Sequence, residues 1–158
     1  MKQEQIKDFT RRISQCNKGS MIVIIYDIVF AYIEDAKQSY AAGDHEGFKH
    51  ALRKAQRAVD ELIHALNFQY EVSKNLYSLY VFSKETMAKA IVKNSTDELE
   101  DVLAVLKDLY EAFMEASKQD HSLPLMQNTQ QVYAGMTYGK NDLTETFQVP
   151  ETSRGFFA

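Results

Sequence analysis

Phe48, Leu52, Ala55, Val59, Leu62 and Leu66 recur at alternating steps of four and three residues, the spacing that lines one side of a bundle helix. Leu76, Tyr80, Ser83, Met87 and Ala90 repeat the pattern, and so do Leu99, Leu103, Leu106, Tyr110 and Phe113. Ahead of them stands "MIVIIYDIVFAYI", Met21 to Ile33, the most apolar run in the chain, interrupted only by Asp27. A bilayer needs about 20 consecutive apolar residues, and this run is too short and is bracketed by "NKGS" and "EDAKQ". It therefore predicts a fourth bundle helix and no membrane insertion.

Boundary chemistry separates the helices. Gly43 followed by Asp44 offers a left-handed stop and then an N-cap, ending the first bundle helix near residue 42 and starting the second at once. Ser73 is a candidate cap for the third, and "STDE" at Ser95 to Glu98 has capping-box spacing for the fourth. Short connections between long helices enforce antiparallel neighbours. The fold expected is all-α: an antiparallel up-down-up-down four-helix bundle over 19–119, with an N-terminal lead over 1–18 and a flexible C-terminal tail over 120–158. That tail holds both prolines and lacks a helical stripe, yet Tyr133, Tyr138, Phe147, Phe156 and Phe157 give it more aromatics than a linker needs.

The apolar arcs of two helices are wider than a bundle requires. At ~100° per residue, Met21, Ile24, Ile25, Ile28 and Tyr32 form the expected core arc of the first bundle helix, while Val23, Tyr26, Phe30 and Ile33 extend it much further round. Tyr77, Val81, Ala88 and Val92 make a second stripe on the third. Flanking segments or homodimerisation would cover such a surplus, and a groove for an amphipathic partner helix would use it. Val23, Tyr26, Phe30, Ile33, Tyr77, Val81 and Val92 are the candidate partner-binding residues. In the lead, Ile6, Phe9 and Ile13 give one apolar edge ahead of Gly19, an expected hinge, and are candidates for capping that surface.

Composition narrows the chemistry. The 158 residues are 45% hydrophobic and 25% charged, ordinary for one globular domain. Cys16 is the only cysteine, so no internal disulfide forms. A formal charge of -4 argues against a nucleic-acid partner; the basic cluster Lys49, Arg53, Lys54 and Arg57 reads as a solvated or acid-paired helix face. A ferritin-like metal protein would need two Glu-x-x-His pairs. The chain has one, Glu61 and His64, and His64 follows the core position Leu62 by two residues, pointing away from the bundle axis. His45, His50 and His121 lack ligand spacing. No phosphate loop or dinucleotide fingerprint occurs, and Cys16 has no nearby histidine. A non-enzymatic protein without cofactors is expected, and a self-associating structural bundle or a ferritin-like metal protein is the alternative.

The segments "GSMIVIIYD", "KAQRAVDELIHALN", "EVSKNLYSLY" and "KAIVKNSTDELEDVLAVLKDLYEAF" occur in the order and at the spacing of the flagellar export chaperone family, FliS. The chain resembles that family from Phe9 to Ala116, with Phe9 where a tyrosine is usual and Phe113 where a tryptophan is common. The resemblance implies a cytosolic chaperone that wraps the disordered C-terminal segment of flagellin, prevents premature polymerisation and aids delivery to the export gate. It also implies that the N-terminal segment folds back over the client groove in the free state.

Overall fold

The computed structural model describes residues 1–126. Five helices follow one another: α1 (Gln3–Gln15), α2 (Lys18–Ala41), α3 (His45–His64), α4 (Val72–Lys93) and α5 (Leu99–Ser117). Helix α2 packs on α3 and α5, α4 packs on α3 and α5, and α1 lies against α2. The expected four bundle helices are thus α2 to α5, and the lead is itself a helix. The aromatic residues noted from Tyr133 onward lie outside the described residues.

The 3/4 stripes dictate the core. Phe48, Leu52, Ala55, Val59 and Leu62 of α3 are buried, as are Tyr80, Ser83, Met87 and Ala90 of α4 and Leu99, Val102 and Leu106 of α5. Leu66, Leu76, Leu103, Tyr110 and Phe113 pack partly buried against them. Helix α2 turns differently from the expected arc. Val23, Ile24, Tyr26, Val29, Ile33 and Ala36 are buried, whereas Met21, Ile25, Ile28 and Tyr32 are half-buried. Val23, Tyr26 and Ile33, assigned above to surplus surface, therefore belong to the core. The physical reason is that a helix apolar nearly all round offers no polar sector from which to fix its phase.

Gly43 takes φ +74°, and the N–H of Asp44 reaches back to the Ser39 carbonyl at 2.8 Å, closing the left-handed stop. Asp44 then caps α3 by accepting the Gly47 N–H at 2.9 Å. Two other boundaries differ from expectation. Ser73 lies inside α4, buried, with its hydroxyl donating to the Asn67 carbonyl at 2.6 Å. Ser95 accepts the Asp97 N–H at 3.1 Å rather than closing a capping box, and α5 starts only at Leu99. The break before α2 is at Cys16 and Asn17, both extended, and not at Gly19, which lies inside the helix.

The start of the expected tail is anchored. The Asn17 amide donates to the Asp120 carbonyl at 2.9 Å, and the Leu125 N–H donates to the Cys16 carbonyl at 2.9 Å. Residues 120–125 thus return to the α1–α2 junction, because that break exposes unpaired backbone groups that a passing strand of chain can satisfy.

Candidate partner-binding groove

At the end of the bundle where α3 hands over to α4, the core stripes run out into an open groove of about 650 Å³. Leu62 of α3, Leu66 just past its end, Leu76 and Tyr80 of α4, and Leu109 and Phe113 of α5 form its apolar walls, with Ile22 of α2 closing one side. Lys18, Asn67 and Asp120 provide a polar rim. The α3–α4 connection continues the apolar track outward: Phe68 and Tyr70 within it and Val72, the first residue of α4, are all exposed, and Phe68 meets Tyr77 edge-on at 5.9 Å. Apolar walls with a few polar groups at the edge suit a side of an amphipathic helix.

The groove floor contains one buried polar pair. The hydroxyls of Tyr80 and Tyr26 lie 2.6 Å apart, and burial pushes both phenols up from their ordinary value. Behind the pair, Tyr26 packs against Phe113 at 5.8 Å and Tyr110 at 6.2 Å, and Phe30 meets Tyr110 edge-on at 5.5 Å. This aromatic cluster joins α2 to α5 and fixes the groove's inner wall.

The candidate residues distribute unevenly. Tyr77 is 44% exposed and Val81 half-buried on the outer face of α4, while Val92 is 86% exposed near its far end. Phe30 is half-buried in the aromatic cluster. None of Ile6, Phe9 and Ile13 lines the groove. Ile6 is exposed and the other two are half-buried on α1, which is pinned to α2 by an Arg12–Asp27 ion pair. Arg12 also stacks over the Phe9 ring at 5.6 Å. The groove walls Leu62, Leu66, Leu76 and Phe113 read from sequence as plain core, since the same stripe serves both uses. The signal that separates them is the pair of aromatics in the α3–α4 connection, Phe68 and Tyr70, where a loop has no packing need for them.

Burial raises the Cys16 thiol above its ordinary range, which disfavours the thiolate. Among the described residues, no three His, Cys, Asp or Glu side chains gather as metal ligands, and no helix is long and apolar enough to cross a membrane.

The family model described as flagellar protein FliS matches residues 1–120. The chain belongs to the FliS family. It is also 25% identical over 108 residues to the flagellar secretion chaperone FliS of Bacillus subtilis (strain 168), an alignment covering 68% of this chain and 81% of that protein. The FliS match spans α1 through α5 and ends at Asp120, so both the groove and the lead helix lie within it.

Proposed function

We propose that this FliS-family chain is a cytosolic flagellar export chaperone that holds the disordered C-terminal segment of flagellin, blocks its premature polymerisation and supports its delivery to the export gate. The observation that carries this reading is the open apolar groove beside α4, extended by the exposed Phe68, Tyr70, Val72 and Tyr77. An exposed apolar track on a rigid scaffold suits a client segment that folds as it binds. The scaffold is an up-down-up-down antiparallel bundle in this reading. Residue numbers rising along α2 and falling along α5 support it: Gly19 meets Asp120, Tyr26 meets Tyr110, and Lys37 pairs with Glu100. Of the residues singled out from sequence, Tyr77 and Val81 serve as client contacts on α4.

Co-expression with a flagellin C-terminal segment, followed by size-exclusion chromatography, should give a stoichiometric complex, and circular dichroism of the mixture should show more helix than the separate parts. Ala112→Glu places a charge on the groove from an exposed position, so it should leave the fold intact and weaken the complex at least tenfold, about 1.4 kcal/mol. A complex insensitive to Ala112→Glu would move the client elsewhere.

A further inference from the structure

We infer a second docking surface, between the first half of α3 and the end of α4, that takes a short acidic amphipathic helix of a partner protein. A recess of about 530 Å³ lies there, lined by His45, Lys49 and Arg53 of α3 and by Ile91, Val92 and Asn94. No carboxylate is among these residues. Lys49 and Arg53 are one turn apart, so their cationic heads run along one edge. Among the described residues Arg53 makes no ion pair, and Lys49 has only the exposed pair with Glu46, a contact of little strength.

The opposite edge is apolar and unusually open. Val92 is 86% exposed, the most of any large apolar side chain among the described residues. Asn94 ends α4 in the left-handed conformation, with φ 50°. Its amide nitrogen sits 3.0 Å from Nδ1 of His45, while its Oδ1 is buried without a hydrogen-bond partner.

The recess thus asks for two things together: carboxylates for Lys49 and Arg53, and an apolar side chain for Ile91 and Val92. A protein segment supplies both. Inorganic phosphate offers nothing for the exposed Val92. A cleft between two helices favours a helix as the occupant. At 1.5 Å rise per residue, the distance along α3 from this recess to the Leu62–Leu66 groove is roughly 20 Å, enough for both to be filled at once. The surface stands independently of what the groove binds.

The test titrates the full chain, labelled for amide NMR, with a synthetic peptide carrying Leu and Glu at i, i+3 and i+4 spacing, and with a twin in which Lys replaces each Glu. The Glu peptide should shift amides of residues 45–53 and 91–94. Its binding should weaken at least tenfold in Arg53→Glu and in Val92→Asp, both exposed positions whose folding circular dichroism confirms, and should also weaken as salt is raised. Equal binding of the two peptides, shifts confined to the Leu62–Phe113 groove, or undiminished binding by Arg53→Glu would overturn the proposal. So would concentration-dependent sedimentation of the chain alone that Arg53→Glu abolishes, because the occupant would then be a second copy.

Discussion

The carboxylate of Asp120 accepts the backbone N–H of Gly19 across 2.8 Å, so a residue three positions past the last bundle helix caps the first turn of α2. The approach is close enough to exclude a side chain: a Cβ at residue 19 would lie 2.6 Å from Oδ2 of Asp120. Gly19→Ala in an ordinary helix would stabilise by up to about 1 kcal/mol through propensity alone. Here that gain should be cancelled or reversed, since Asp120 must move and the first-turn N–H loses its acceptor. Thermal unfolding with amide exchange at residues 120–125 checks it; a raised midpoint with unchanged exchange would refute the latch.

The same carboxylate gives a pH signature. Hydrogen bonds from the Ser122 hydroxyl and N–H, and from the Gly19 N–H, hold Asp120 below its ordinary 3.8. A depressed folded pKa adds stability that is present above 3.8 and is lost as pH falls through the lower folded value. Acid unfolding of Asp120→Asn should therefore start from a lower plateau at neutral pH and converge with the native chain in strong acid. Parallel curves throughout the acid range would show that the latch makes no contribution.

Tyr26 and Tyr80 form a closed pair beneath the groove. Removing one hydroxyl leaves the other buried and unmatched, so Tyr26→Phe or Tyr80→Phe should each cost about 1–3 kcal/mol, whereas the double variant should cost less than the sum of the two. Chemical denaturation of the three variants measures the coupling. Additive losses would mean that the hydroxyls do not depend on each other.

Val23 shows where reading the sequence reaches its limit. The stripes of α3, α4 and α5 are legible because polar residues flank each one; on the outer stripe of α4, Tyr77 and Val92 are exposed and Val81 is half-buried. On α2 the arc Met21, Ile25, Ile28, Tyr32 and the arc Val23, Tyr26, Val29, Ile33 have nearly the same spacing, and both are apolar. Only the three-dimensional packing of α3 and α5 chooses the second. The groove was hidden for a related reason, since Leu62, Leu66 and Phe113 continue core stripes past the point where a fourth wall closes over them. Val23→Asp should accordingly unfold the domain by burying an unpaired charge, with loss of the helical dichroism at ordinary temperature. A folded Val23→Asp protein would return that residue to the surface.

The lead helix separates two modes of client contact. Helix α1 lies along α2, held by Arg12 to Asp27, and Tyr110 of α5 adjoins the same carboxylate: burial, then Asp27, pushes its phenol up. The Leu62–Phe113 groove is open with α1 in place. A segment that fills only this groove therefore has nothing to displace. One long enough to continue along α2 must compete with Phe9 and Ile13, and its apparent affinity falls by the fraction of molecules in which α1 is lifted. Deleting residues 1–15 should leave the short segment's binding unchanged and strengthen the long segment's several-fold, as read by calorimetry, with circular dichroism confirming that α2 to α5 remain folded. Solubility should fall as the apolar side of α2 is exposed. Equal gains for both segments would place α1 over the groove itself, and no gain for either would remove any covering role for Ile6, Phe9 and Ile13.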